Sequence, residues 1–151
     1  DTDLTWTRLT PWRALLAAAL DHPPHEPVTA ATVAGEAVSP STDLMAGWLA
    51  ARLGTKVKRS PAATGPGLVS VRLERSGGPV ELVRPDGKVG SLRQPGQPDR
   101  LVALALREGR DCLAEELRRL DPDETYGEAL AGVATISKGR TAVKIPTLAG
   151  T

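Results

Sequence analysis

Val28-Thr29-Ala30-Ala31-Thr32-Val33-Ala34-Gly35, then Ser39-Pro40-Ser41-Thr42-Asp43-Leu44-Met45-Ala46-Gly47-Trp48-Leu49-Ala50-Ala51-Arg52-Leu53-Gly54, then Lys56-Val57-Lys58-Arg59-Ser60: these three runs decide the fold. The first is β-branched and ends at a glycine, so Val28 to Ala34 reads as a strand. Ser39 carries a side-chain oxygen for the free N–H groups of a helix start, and Pro40 loses nothing at the first helical position. Leu44, Met45, Trp48, Leu49 and Leu53 recur at helical spacing and make one apolar face, which Gly54 closes as a C-cap. Lys56 to Ser60 is again strand-like. A strand, a helix and a strand joined this tightly form a βαβ unit, whose two strands run parallel.

Toward the C-terminus, Ala62 to Gly67 is a loop. Val69 to Glu74 alternates apolar and polar residues, as a half-buried antiparallel strand does. Gly77-Gly78 turns the chain into Val80 to Arg84, and Pro85-Asp86-Gly87 turns it into Lys88 to Arg93. Alternation sends Val71, Leu73, Val80 and Leu82 inward and Arg72, Glu74 and Glu81 outward. Gln94 to Arg100 is a proline-rich connection. Leu101 to Leu106 fits a last strand or the start of a helix, with the strand preferred. A helix from about Arg110 to Leu120 buries Leu113, Leu117 and Leu120. Asp121-Pro122-Asp123-Glu124 then offers a cap, a first-turn proline and a capping-box carboxylate for a final helix, whose inner face is Tyr126, Ala129, Leu130 and Val133. Ala134 to Thr151 has few apolar residues and is expected to be a loosely ordered tail.

Toward the N-terminus, Thr10 fits a helix cap and Pro11 its first position. Trp12, Leu15, Leu16, Ala19 and Leu20 form a buried stripe, which the prolines between His22 and Val28 bring to an end. Trp6 lies outside that stripe, in a polar lead-in. It either packs back on the domain or awaits a partner. The fold class is therefore α+β, a mixed sheet of one βαβ unit plus an antiparallel meander, with helices packed on it. Residues 1–133 form one globular domain and 134–151 the tail.

The chain has 151 residues, enough for one domain that buries roughly two thirds of its unfolded surface. The only methionine is Met45, so the chain reads as a cut or engineered fragment. A formal net charge of +1 argues against a nucleic-acid partner. The single cysteine, Cys112, excludes an intrachain disulfide and a cysteine-based zinc site. No signal peptide and no apolar run of membrane length is present, so a cytoplasmic protein without membrane contact is expected.

No catalytic constellation stands. His22 and His25 sit in a proline loop with no cysteine beside them, and no metal is expected there. Cys112 has no general base near it in sequence; only a structure placing it beside His22 or His25 would suggest a hydrolase. Gly65-Pro66-Gly67 lacks the strand-to-helix setting and the lysine of a phosphate loop, and no dinucleotide fingerprint occurs, so no cofactor is expected. Helix capping accounts for Ser39, Asp121, Asp123 and Glu124. Arg72, Arg75, Arg84, Lys88, Arg93 and Arg100 fall close together on the meander. They either grip an anion or pair across strands with Glu74, Glu81, Asp86 and Asp99. Candidate partner contacts are Trp6, Arg8, Trp12 and Arg13, which combine the residue types enriched at interface hot spots, and Gln94, Gln97, Asp99 and Arg100 on a stiff polar loop.

Four stretches in order carry a family resemblance: Asp3-Leu4-Thr5-Trp6-Thr7-Arg8-Leu9-Thr10-Pro11-Trp12-Arg13; Ser39-Pro40-Ser41 through Ala46-Gly47-Trp48-Leu49-Ala50 to Arg52-Leu53-Gly54; Gln94-Pro95-Gly96-Gln97-Pro98-Asp99-Arg100; and Cys112-Leu113-Ala114-Glu115-Glu116-Leu117-Arg118-Arg119-Leu120-Asp121-Pro122-Asp123. With them the chain resembles the C-terminal half of the glucose-6-phosphate dehydrogenase assembly protein family, OpcA, in its actinobacterial form. The resemblance implies a non-catalytic protein that binds glucose-6-phosphate dehydrogenase and supports its active oligomer in the oxidative pentose phosphate pathway. The alternative is a regulatory domain in which the meander arginines bind a sugar phosphate or other small phosphate. Self-association is left open.

Overall fold

The computed structural model describes residues 2–21, 25–104, 123–139, 141–143 and 145. Helices α1 (Thr2–Arg8) and α2 (Thr10–Asp21) lead into strand β1 (Ala30–Gly35), helix α3 (Pro40–Leu53) and strand β2 (Lys56–Pro61). The meander follows as β3 (Leu68–Glu74), β4 (Val80–Val83), β5 (Val89–Arg93) and β6 (Arg100–Ala103), then helix α4 (Asp123–Val133) and strand β7 (Ser137–Lys138). The strands form one sheet in the order β6-β5-β4-β3-β1-β2-β7. β1 and β2 are parallel, as the βαβ reading requires, and β3 to β6 are antiparallel neighbours. β1 and β3 join the two parts as an antiparallel pair. The class is α+β with a mixed sheet.

α3 follows its local code. The Ser39 hydroxyl accepts the Thr42 N–H at 3.2 Å, Pro40 opens the helix, and Gly54 ends it at φ 60°. That left-handed conformation carries a steric penalty for any side chain, so glycine is the fitting residue. Register then sorts the sheet into two faces. Arg59, Val33, Val71, Leu82 and Leu92 are successive Cα partners across five strands on one face. There Val33, Val71, Leu82 and Leu92 join Trp12, Leu16, Met45 and Leu49 in the buried core. The neighbouring row of Lys58, Thr32, Arg72, Glu81 and Arg93 lies on the opposite face, as alternation predicts for Arg72 and Glu81.

Several boundaries move. β1 begins at Ala30 rather than Val28, because ladder partners on both sides start there, Lys56 and Glu74. Arg13 N–H donates to the Leu9 carbonyl at 2.9 Å, so Leu9, not Thr10, occupies the cap position of α2. Leu9 N–H in turn donates to Trp6 O, joining α1 to α2 through a single residue and leaving no room for a polar lead-in. In α4, Ala129 is buried but Leu130 is 47% exposed, contrary to the inner face expected for it. This helix approaches α3 through glycines, Gly132 against Gly47, and that close contact turns Leu130 outward. β7 is a strand inside the expected tail. It runs parallel to β2, with Lys58 opposite Ser137 and Arg59 opposite Lys138. Val143 adds an isolated bridge to Ala62. His22, Cys112, the helix expected from Arg110 to Leu120 and the Asp121-Pro122 cap lie outside the described residues, as does the side chain of Tyr126.

Candidate protein-docking edge

The tryptophan–arginine cluster is drawn apart by α1. Trp6, Leu9, Trp12 and Leu16 are three or four residues apart, and all four face the core. Trp6 is 4% exposed and Trp12 1%, so both indoles are withdrawn from any surface a partner would meet, and the open reading of Trp6 resolves to packing. Their spacing carried this signal, but taking Trp6 as a lead-in residue hid it. Arg13 stays beside Trp6, its guanidinium 4.0 Å from the ring centroid, while Nη2 donates to Thr10 Oγ1 at 3.1 Å. Of the four, Arg8 alone is exposed.

Trp12 has a cation partner far away in sequence. Arg84 lies 5.1 Å from its ring centroid and donates two 2.7 Å hydrogen bonds, Nη1 to Leu104 O and Nη2 to Leu68 O. Burial pushes the Arg84 pKa down to about 10, with Asp86 opposing the shift. Arg84 is therefore a core clamp that satisfies two carbonyls, and Arg75 is buried as well.

The solvent face of the meander is an ion-pair row. Arg72 donates from Nε to Glu74, whose carboxylate raises the Arg72 pKa, and its Nη1 lies 3.6 Å from Glu81. Glu81 meets Arg93 at 3.8 Å, and Arg93 meets Asp99 at 3.3 Å. Exposed pairs of this kind contribute roughly 0–1 kcal/mol each, but they occupy the cations that an anion would need. Cross-strand pairing, one of the two sequence readings, is what the structure displays here.

Gln94, Gln97, Asp99 and Arg100 are brought together. Gln97 N–H donates to Gln94 O at 3.3 Å across a turn where Gly96 takes φ 75°, and Pro95 to Arg100 are all exposed. The loop delivers the chain into β6, the terminal strand of the sheet, whose outer side pairs with no strand among the described residues. Arg100 forms no ion pair among those residues, and Leu101 beside it is 60% exposed. Val89, half-exposed, lies on the same face as Leu101, because Val89 pairs with Ala103 and Leu101 with Ser91. Edge strands offer free backbone donors and acceptors; Leu101 and Val89 add apolar surface on the ion-pair face, and Arg100, opposite Leu92, adds a cation on the other face of the same edge. Sequence reading missed Leu101 and Val89: 101–104 is apolar at every position, so alternation assigns no face.

Among the described residues no three His, Cys, Asp or Glu side chains are grouped to hold a metal, and no helix is long and apolar enough to cross a membrane. His25 Nε2 instead meets the Asp21 carbonyl at 2.9 Å.

A protein-family model, described as the C-terminal domain of the OpcA glucose-6-phosphate dehydrogenase subunit, matches residues 1–130. The chain belongs to this OpcA family. The match reaches from α1 through the β5–β6 loop into α4, and it bears out the resemblance carried by the four sequence stretches. It links the chain to glucose-6-phosphate dehydrogenase and hence to the pentose phosphate pathway. No match was found among curated proteins or solved structures.

Proposed function

We propose that this OpcA-family domain is a non-catalytic assembly module that docks on glucose-6-phosphate dehydrogenase in the cytoplasm through the β5–β6 edge and favours the active oligomer. The observation that carries this reading is the contiguous exposed run from Gln97 through Leu101, where an arginine with no ion pair among the described residues and a 60% exposed leucine lie on a terminal strand. Arg100 forks onto a carboxylate of the enzyme, and Leu101 is the apolar anchor. Activation by docking requires tighter binding to the active form than to the inactive one, since equal affinity shifts no equilibrium.

The test is size-exclusion co-elution with the enzyme of the same organism, coupled to an NADPH-forming assay, for the wild-type domain and for Arg100→Glu and Leu101→Asp. Both side chains are exposed, so both variants keep the fold. Loss of a central contact costs about 2 kcal/mol or more, a weakening of about thirtyfold. Co-elution and activation unchanged in both variants would move docking off this edge.

A further inference from the structure

We propose a second site at the opposite end of the sheet: the crevice at the carboxyl ends of β1, β2 and β7 binds a phosphoryl oxyanion, with Arg59 and Lys138 as its cationic walls. Ala37, Asp43, Arg59, Pro61, Lys138 and Gly139 line a cavity of about 210 Å³ there. All three strands run parallel and end on this side, which is where loops diverge and open α/β sheets form ligand crevices.

The electrostatics point to an anion. Register sets Arg59 of β2 directly opposite Lys138 of β7 on one face of the sheet. Like charges placed directly opposite each other in a ladder repel. Arg59 is 4% exposed and cationic. Its orientation is set by Asp43 Oδ1, which accepts from Nε at 2.9 Å, by Ser60 O, which accepts from Nη1 at 3.0 Å, and by Glu36 O on Nη2. Asp43 offsets one cation only. Lys138 has no ion pair among the described residues, so the charged lining side chains sum to two cations and one carboxylate, net +1.

The β7 backbone is held where this crowding is greatest. Gly139 N–H donates to Arg59 O at 2.6 Å, and a Cβ on Gly139 would press on the Ser60 hydroxyl, so the two strands lie close together here. An Arg59–Asp43 bridge would tie α3 to β2 without Lys138 and without an open volume. An oxyanion between the two cations accounts for both. On the meander, Arg72 and Arg93 lie in the solvent ion-pair row and Arg84 is buried against Trp12, whereas Arg59 and Lys138 together line an open volume.

The experiment is amide NMR titration of the whole chain with inorganic phosphate, ionic strength held constant with sodium chloride. Saturable shifts centred on Ala37, Lys138 and Gly139 are expected. Lys138→Ala, an exposed change that leaves the fold intact, weakens binding about tenfold. Asp43→Asn raises the lining charge from +1 to +2 and strengthens phosphate binding several-fold even though it breaks an ion pair. A purely structural Asp43 would not produce that gain. A parallel titration with a phosphate monoester separates free phosphate from a phosphorylated metabolite as the source of the group. Shifts absent, equally produced by chloride, or unchanged in Lys138→Ala would overturn the proposal. The docking edge is untouched by these variants, so either reading can fail alone.

Discussion

Gly132→Ala tests the contact that holds α4 on α3. An ideal Cβ at Gly132 would fall on the Gly47 carbonyl oxygen and stand 2.8 Å from its carbon. A Cβ at Gly47 would in turn meet the Ala129 carbonyl oxygen and lie 2.8 Å from the Val133 nitrogen. Carbon atoms pack best at about 3.5–4.0 Å, so the helices must separate by roughly 1 Å. Backbone atoms cannot rotate aside as a flexible side chain would. Overpacking of this kind costs typically about 1–3 kcal/mol, against a gain of about 1 kcal/mol from alanine's helix propensity. With the cost at its upper end, the net loss is about 2 kcal/mol, a fall in Tm of about 4–8 °C for a domain this size. Gly127 in the same helix is the control. It is exposed, and nothing lies within 4 Å of a Cβ built there, so Gly127→Ala keeps the propensity gain and raises Tm by about 2–4 °C. Calorimetry or thermal circular dichroism on the two variants decides it. A Gly132→Ala protein as stable as Gly127→Ala would refute the backbone crossing and with it the placement of α4.

Trp6→Ala should destabilise the isolated domain by about 3–5 kcal/mol in chemical denaturation, the cost of emptying a core site. A change near zero would mean that Trp6 is not core, whereas the expected loss would make any binding defect of this variant a folding defect. Arg84 makes an alkaline prediction. Its folded pKa, about 10, lies below that of an ordinary guanidinium, so between the two the unfolded chain holds more protons and this group adds stability as pH rises. The stability difference between wild type and Arg84→Met should therefore shift toward the wild type above about pH 10, by up to about 1.4 kcal/mol per pH unit. A pH-independent difference would contradict the desolvation of Arg84.

α3 shows what a single segment can determine. Ser39 as cap, Pro40 in the first turn and Gly54 at positive φ act within a few residues of one another, and each appears in the structure where the sequence implies it. The parallel pairing of β1 with β2, and the inward set Val71, Leu73, Val80 and Leu82, follow from periods of 3.6 and 2 that need no distant information. The β5–β6 loop, with Gln94, Gln97, Asp99 and Arg100, was visible for the same reason: its turn chemistry is local.

What tertiary structure alone decided is where long side chains end and which strands meet. Arg72, Arg84 and Arg59 look alike in sequence. One joins a solvent ion-pair row, one clamps two core carbonyls beneath Trp12, and one lines a crevice, because neighbours far along the chain supply their acceptors. β7 is two residues long, too short for any period, and it exists because β2 presents a free edge for it to join. The cross-strand meeting of Arg59 with Lys138 depends on that register. Short-range rules, steric and hydrogen-bonding in origin, set the elements of this domain. Its charges were placed by burial and pairing, which depend on the whole chain.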